Sequence, residues 1–175
     1  MISDEALFER LVRGELGAFD ALYERHERHL FGFILRQLDG DRAEAEDVMH
    51  DAFLAVLRER AHGVSCFRAW LYQVARNLCL NRARSRQRAC RAVTSLAHAP
   101  EALPSPPGHA LEEREASESL RAAVARLPVP LAELYQLRAG GLTYEELAQA
   151  LSLPVGTVKS RMHEMVSRLR EEMRR

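Results

Sequence analysis

The sequence has few of the residues that metal, redox or membrane chemistry requires. Its three cysteines, Cys66, Cys79 and Cys90, form no CxxC pair, so we expect reduced thiols rather than a zinc site or a disulfide framework. No apolar run approaches the roughly 20 residues that cross a bilayer. The amino-terminal stretch is acidic and amphipathic, unlike a signal peptide. These absences predict a cytoplasmic protein with no bound metal and no direct membrane insertion.

Net charge is also absent. The 175 residues include 25 basic and 25 acidic side chains, and Lys159 is the only lysine. The charges are unevenly placed, because residues 39–51 carry six acids and one arginine whereas residues 76–91 carry six arginines and no acid. Abundant arginine alone says little about nucleic-acid binding, but this distribution predicts an acidic helix followed by a basic one.

Strand signals are almost missing, and helical periodicity runs through most of the chain. Residues 94–110 hold four of the seven prolines, and proline removes an amide donor and restricts the residue before it, so this stretch cannot be a regular helix. We therefore predict an all-α fold of two small helical domains, residues 1–92 and 113–175, joined by a Pro-rich linker at 93–112. The predicted helices cover residues 4–13, 19–38, 42–60, 67–91, 111–126 and 130–139, with a final pair within 142–170.

The final pair of helices has the features of a helix-turn-helix. Thr143 and Glu146 are spaced as a capping box, and Leu142 and Leu147 are placed as its hydrophobic staple. Pro154 suits the first turn of the second helix, where a missing amide costs nothing. The alternative is an ordinary helical hairpin with a solvated polar face. The caps and the polar side chains of the second helix together favour the helix-turn-helix.

The last helix separates an apolar stripe from a polar face. Helical spacing predicts that Val158, Met162, Met165 and Leu169 are buried. A polar face with donors, an acceptor and cations can enter a major groove. The candidate residues on it are Thr157, Lys159, Ser160, Arg161, His163 and Glu164.

The arginine-rich helix is a second candidate surface, since arginines without neighbouring acids can neutralise phosphates. Trp70 and Tyr72 fall outside the predicted apolar stripe of this helix and are interpreted as available for stacking on exposed bases. That stripe consists of Phe67, Leu71, Val74 and Leu78.

The acidic helix leaves three interpretations open. Glu46, Asp47 and Asp51 could form a metal site, a catalytic pair or a protein-docking face. No nucleophile, glycine-rich phosphate loop or HExxH pattern accompanies them. We therefore expect no enzymatic activity, no cofactor and no small-molecule substrate.

Three segments resemble a known family in order and spacing. "AFDALYERHERHLFGFILRQLDGDRAEAEDVMHDAFLAVLRE", "FRAWLYQVARNLCLNRARSRQR" and "GLTYEELAQALSLPVGTVKSRMHEM" are similar to the extracytoplasmic-function sigma factors of bacterial RNA polymerase. The resemblance covers most of residues 15–90 and 118–172. It implies a promoter-specificity subunit that binds core polymerase, recognises the −10 and −35 promoter elements and promotes DNA melting.

The resemblance also implies partners and site residues. The acidic helix would dock on the clamp helices of the largest polymerase subunit, the flap of the second-largest subunit would be a further contact, and an anti-sigma factor is expected. Polymerase contacts carried over by position are Glu46, Asp47 and Asp51. The −10 candidates are His62, Gly63, Val64 and Ser65 in a loop, with Trp70, Arg76, Asn77, Asn81 and Arg84 on the helix that follows. The −35 candidates are the polar residues of the last helix given above, from Thr157 to Glu164.

The chain departs from the family pattern in the last helix. Where the family usually continues "RLHRAR", this chain has "RMHEMV", which places Glu164 and Met165 where basic or small residues are common. A glutamate there loses a phosphate or guanine contact but could accept a hydrogen bond from cytosine N4.

The sequence leaves two other classes of protein as alternatives. A conventional helix-turn-helix regulator would bind duplex operator DNA as a dimer and would have no use for the aromatic and basic helix of the first domain. A helical adaptor would not bind DNA at all. The neutral charge favours the sigma interpretation, because a neutral protein binds DNA weakly alone and needs a partner such as polymerase.

Overall fold

The computed structural model describes residues 2–59, 64–92 and 111–174, with the backbone alone at 89–92 and 111–117. Within these ranges the regular structure is all helical, as predicted. None of the described helices is long and apolar enough to span a membrane. The helices are α1 (Asp4–Val12), α2 (Gly17–Gln37), α3 (Arg42–Arg58), α4 (Phe67–Ala92), α5 (Leu111–Ala125), α6 (Val129–Ala139), α7 (Tyr144–Leu151) and α8 (Val155–Glu172).

The chain divides into two compact units, Met1–Ala102 and Leu103–Arg175. The first contains α1–α4 and the second contains α5–α8, which confirms an all-α fold of two helical domains. The predicted domain bounds at 92 and 113 stay predictions. Most of the predicted linker lies outside the described residues, and α5 begins at Leu111, inside its predicted end.

The core of the first unit follows the predicted apolar stripes of α2 and α3. Burial is complete or almost complete along both stripes, because α2 packs against α1, α3 and α4. Removing this much apolar surface from water is the main stabilising contribution to such a helical domain. The buried stripe residues are Leu22, Leu30, Phe33 and Ile34 on α2, and Ala45, Val48, Ala52 and Val56 on α3.

The prediction for the apolar face of α4 was partly wrong. Val74 and Leu78 are only half-buried, whereas Tyr72 is 1% exposed and its ring lies 5.2 Å from that of Phe33. Contacts with α1, α2 and α3 make the buried face of α4 wider than a narrow stripe and turn it towards Tyr72 and Cys79. Tyr72 is therefore a core residue and is unavailable to bases.

Two of the cysteines have described side chains. Cys79 is buried, and this burial raises the pKa of its thiol to about 12, so the reactive thiolate is scarce at neutral pH. Cys66 is half-buried and also free of any disulfide. The side chain of Cys90 lies outside the described residues.

Asp4 anchors α1 to α2. Its two carboxylate oxygens lie 2.8 Å from Arg25 Nη1 and 2.7 Å from His26 Nε2. Burial opposes ionisation of Asp4, but the hydrogen bond from Arg25 and the neighbouring His26 outweigh it and lower the carboxyl pKa. Burial also lowers the pKa of His26, although Asp4 acts in the opposite direction. Because a carboxylate only accepts hydrogen bonds, a neutral His26 donates to it through Nε2.

The second unit is organised around the predicted capping box. The amide of Thr143 donates to Glu146 Oε2 at 2.6 Å, and the amide of Glu146 donates to Thr143 Oγ1 at 3.2 Å. The staple residues Leu142 and Leu147 are fully buried. These contacts fix the start of α7 and hence the direction in which the chain enters the helix-turn-helix.

The turn between α7 and α8 is short. Ser152 adopts a left-handed conformation, with φ 54°, at the end of α7. Pro154 is the cap residue immediately before α8, one position earlier than the predicted first turn. The predicted buried stripe of α8 is confirmed at Val158, Met162, Met165 and Leu169.

We predict that acid destabilises the first unit through His26. The folded state lowers the pKa of His26 below its ordinary value of 6.5, so the stability from the neutral ring is complete above that value and is lost as the pH falls below it. Asp4 acts with the same sign below 3.8. Urea unfolding, followed by the fluorescence of the single tryptophan Trp70, should show a lower free energy of unfolding at about pH 5 than at about pH 7.5.

His26→Gln should flatten this pH dependence, because glutamine does not titrate. His29 is exposed on the same helix, so His29→Gln is the matched control and should keep the wild-type dependence. An identical pH dependence in His26→Gln would contradict the assignment.

Candidate nucleic-acid interface

One face of α4 brings together four of the predicted −10 residues. Trp70, Asn77, Asn81 and Arg84 recur at near-integral helical turns, so they lie in a row opposite the buried face. Trp70 is half-exposed and the other three are exposed. The exposed side chain of Arg88 continues the row by one turn, and we call these five residues the α4 polar row. Arg76 lies outside the row and makes other interactions.

The predicted loop pocket is described only in part. Val64 is half-buried and Ser65 is exposed, directly before α4 begins at Phe67. His62 and Gly63 lie outside the described residues. The assignment of this loop to a base-binding pocket stays a prediction.

Two arginines of α4 pair with acids of α3 instead of facing outwards. Arg82 Nη2 lies 3.1 Å from Asp51 Oδ2, and Arg86 Nη2 lies 3.1 Å from Glu44 Oε2. Partly exposed pairs of this kind contribute little to stability. The two pairs instead determine which positive charges of α4 are left unneutralised. In the described part of the chain no ion pair is found for Arg84.

The pairing explains why local sequence could not assign the arginines. Sequence alone placed an acidic helix before a basic one, but it gave no register between them. The register follows from packing of α3 on α4. Arg82 and Arg86 point towards α3 because their positions fall on the buried side of α4, while Arg84 falls on the opposite side.

The predicted polymerase contacts on α3 are divided between two sides of the helix. Asp47 is exposed, and Asp51, one turn later, shares its side and pairs with Arg82. Glu46 faces the other way, towards α2, and its Oε1 accepts from Arg42 Nε at 2.9 Å. The structure therefore joins Asp47 with Asp51 and separates Glu46 from both.

A groove of about 640 Å³ lies between α2 and α3 beside Glu46. Its floor is mainly apolar and includes Tyr23 and Phe53, whose ring centroids are 4.7 Å apart. Arg42 stands 5.5 Å from the ring of Phe31 at one end, and His50 lines the rim. Sequence reasoning missed the groove, although Tyr23 and Phe53 sit at the edges of the two apolar stripes.

The polar face of α8 presents the predicted −35 residues to solvent. Lys159, Ser160, His163 and Glu164 are exposed, and Thr157 and Arg161 are half-buried at its edge. Ser160 Oγ donates to the carbonyl oxygen of Thr157 at 3.0 Å. The hydroxyl proton is thereby engaged, and the oxygen lone pairs remain as acceptors.

Glu164 is paired within its own helix. Its Oε1 accepts from Arg168 Nε at 3.0 Å, and both side chains remain about half exposed. Arg168 was not among the predicted residues, although the spacing of a glutamate four residues before an arginine is a recognised helical pair. Oε2 of Glu164 keeps acceptor capacity for a base amino group.

Comparison with known proteins relates both parts of the chain to regions of one protein family. Residues 22–89 match Sigma-70 region 2, and residues 117–169 match Sigma-70, region 4. The RNA polymerase sigma-H factor of Pseudomonas aeruginosa is 34% identical over an alignment of 172 residues, and the match covers 91% of this chain and 88% of the relative. The ECF RNA polymerase sigma-E factor of Escherichia coli K12 is 33% identical over an alignment of 174 residues, and the match covers 92% of this chain and 89% of that protein. The chain belongs to the extracytoplasmic-function sigma factors.

Solved structures share the fold. CnrH, solved in complex with the cytosolic domain of CnrY, gives a TM-score of 0.67 at 21% identity and covers 96% of this chain and 95% of its own. The sigma factor RpoE of Bartonella quintana, solved with the anti-sigma factor NepR, gives 0.70 at 22% identity, with coverage of 89% and 96%.

Membership establishes the general function. A sigma factor is the promoter-recognition subunit of RNA polymerase, and its regions 2 and 4 bind core polymerase and promoter DNA. The conventional helix-turn-helix regulator and the helical adaptor were therefore wrong hypotheses. Sigma factors are a family of non-enzymatic regulatory subunits. The region 2 match runs from within α2 to within α4, and the region 4 match runs from within α5 to within α8 and includes the helix-turn-helix.

Glu164 should determine part of the −35 preference of this sigma factor. An acceptor at this exposed position favours base amino groups, whereas arginine donates and favours guanine. In a selection from promoters randomised at the −35 element, Glu164→Arg should shift the preferred bases towards guanine. Glu171→Arg, with the same charge change at an exposed position two turns further along α8, is the control and should keep the wild-type preference. An unaltered motif in Glu164→Arg would show that this side chain does not contact bases.

Proposed function

We propose that the α4 polar row grips the melted strand of the −10 element. The single observation that carries this proposal is the arrangement of an indole, two carboxamides and two guanidinium groups along one helix face, while Arg82 and Arg86 are held by α3. Aromatic rings stack on exposed bases, carboxamides bond base edges, and guanidinium groups bind phosphates. In this proposal, the bases would lie near Trp70 and the phosphates near Arg84.

The proposed ligand of the α4 polar row is single-stranded DNA with an unstacked base. Bases inside a duplex do not offer their faces to an indole, so a base must leave the stack before Trp70 can contact it. Val64 and Ser65, together with His62 and Gly63 from the sequence prediction, would complete the pocket. In the same proposal, the exposed face of α8 binds the −35 element as duplex DNA in the major groove.

We further propose that α3 docks on core polymerase. The exposed carboxylate of Asp47, with Asp51 beside it, would contact the clamp helices of the largest subunit, and the α2–α3 groove with Glu46 at its rim would receive apolar side chains. The second unit would contact the flap of the second-largest subunit. This division is supported by the neutral net charge, because polymerase then supplies the affinity that a neutral protein lacks for DNA.

An anti-sigma factor is the proposed regulatory partner. The structural neighbour RpoE was solved with an anti-sigma factor, and an amphipathic helix is the kind of partner that an apolar groove with a polar rim accepts. We infer that such a partner would compete with polymerase for the α2–α3 groove. The sigma factor would act in the cytoplasm at the nucleoid. A membrane-bound anti-sigma factor would hold it inactive at the membrane, and this chain would not itself insert into the bilayer. We propose no catalytic step and no cofactor for the chain itself.

Transcription with purified core polymerase tests the proposed role of α4. Run-off transcription from a promoter library should yield a preferred promoter, on which Asn81→Ala should reduce open complexes by about tenfold, the typical loss for one base-edge contact. Gln87 is exposed on α4 outside the row, so Gln87→Ala is the matched control with wild-type activity. Sequence-specific duplex binding by the sigma factor alone, without promoter-dependent initiation, would contradict the proposal.

Docking on polymerase is tested by reversing one charge. Asp47→Arg should weaken association with core polymerase in a pull-down. The substitution replaces a carboxylate that would pair with a cation on polymerase by a guanidinium group that would repel that cation. Glu9→Arg makes the same charge change at an exposed position on α1 and should leave association unchanged. Equal association of both variants with core polymerase would remove Asp47 from the interface.

A further inference from the structure

Helix α1 contacts the part of α4 where the polar row begins, although it lies before the region 2 match that starts at residue 22. The amide of Phe67 belongs to the first turn of α4, where no helical carbonyl is available to accept from it. Glu5 Oε1 accepts from this amide at 3.2 Å, across 62 residues of sequence. Phe67 is fully buried, so an unpaired amide here would be costly and Glu5 fixes the start of α4.

The same helix supports the indole of Trp70. Phe8 is buried, and its ring centroid lies 5.3 Å from that of Phe67 and 5.7 Å from that of Trp70. The rings of Phe67 and Trp70 are 6.0 Å apart, so the three form one cluster. Tilted aromatic pairs at these distances attract each other beyond simple burial. One side of Trp70 is therefore held by protein while part of the residue remains exposed.

Helix α1 is itself held in place by α2. Arg25 Nη1 donates to the carbonyl oxygen of Ile2 and to Asp4 Oδ1, each at 2.8 Å. His26 bonds Asp4 through Nε2, and its ring lies 5.5 Å from that of Phe67. The polar contacts at the start of α1 and the aromatic cluster thus fix α1 against both α2 and α4.

We propose that α1 is a positioning element for capture of the unstacked −10 base, with Glu5 fixing the first turn of α4 and Phe8 fixing the indole of Trp70. This inference rests on the proposed function of the α4 polar row. A preformed indole does not have to be ordered when the base arrives, so melting proceeds without that entropic cost. Glu5 and Phe8 touch no DNA in this proposal and act through Phe67 and Trp70.

The test uses the complete holoenzyme, assembled from this chain and core polymerase, on the selected promoter carrying 2-aminopurine in its −10 element. The fluorescence increase gives the rate constant of melting, and its dependence on holoenzyme concentration gives the affinity of the closed complex. Glu5→Ala should slow melting by about fivefold, the effect of one lost hydrogen bond, with unchanged closed-complex affinity. Glu5→Gln keeps an accepting oxygen and should restore the rate.

Phe8→Leu is the second variant, because it keeps an apolar side chain and removes the ring that contacts Trp70. It should also slow melting selectively. Glu9 lies one turn after Glu5, is exposed and pairs with Arg13 at 3.2 Å. Glu9→Ala is the matched control on the same helix and should melt the promoter at the wild-type rate.

The outcomes separate this inference from the proposal on which it rests. An unchanged melting rate in both Glu5→Ala and Phe8→Leu would overturn the positioning role, and so would a loss of closed-complex affinity equal to the loss in melting rate. Failure of Glu5→Gln to restore the rate would overturn the role of the hydrogen bond. Trp70→Ala with an unchanged melting rate would instead overturn the proposed function of α4.

Discussion

The division of α4 into two faces is the constraint on which the first unit depends. One face, with Phe67, Leu71 and Tyr72, is buried against the other helices of the unit. The opposite face carries Trp70 and Asn81 into solvent. Because a helix has 3.6 residues per turn, any change in the register of α4 against its neighbours would rotate both faces together. Core packing and presentation of the polar row are therefore the same structural property.

Electrostatic arrangement follows from that packing. Asp51 and Glu44 of α3 pair with Arg82 and Arg86 on the near side of α4, whereas Arg84 on the far side takes part in neither pair. A chain with zero net charge can in this way present a local basic surface without a general attraction to phosphate. Such an arrangement suits a subunit that should engage DNA only after polymerase has placed it on the promoter.

The features that were correctly predicted from sequence are those determined by interactions between residues close together in the chain. The capping box at Thr143, the apolar stripe from Val158 to Leu169 and the fold class all depend on residues within a few turns of each other, and all were confirmed. The resemblance supplied the family, but it could not supply burial. Tyr72 was misjudged because three helices pack on α4, which widens its buried face beyond a single stripe.

Long-range contacts were beyond such reasoning. The contact between Glu5 and Phe67 spans 62 residues, and that between Asp4 and His26 spans 22. Nothing in the local pattern of either partner indicates the other. The α2–α3 groove and the pairing of Arg82 with Asp51 were missed for the same reason, since they arise only when two helices have a defined register. The residue assignments to DNA and polymerase stay predictions.

Because the chain has a single lysine, covalent modification of lysine can change very few of its charges. Arginine keeps its charge throughout the physiological pH range, and the target of acetylation is the amine of lysine, not the guanidinium group. Lys159 is the only lysine of the chain, and it is exposed on α8. Acetylation of lysine could therefore remove positive charge from one position alone, on the face that we propose binds the −35 element. The guanidinium groups of the α4 polar row would keep their charge under the same modification.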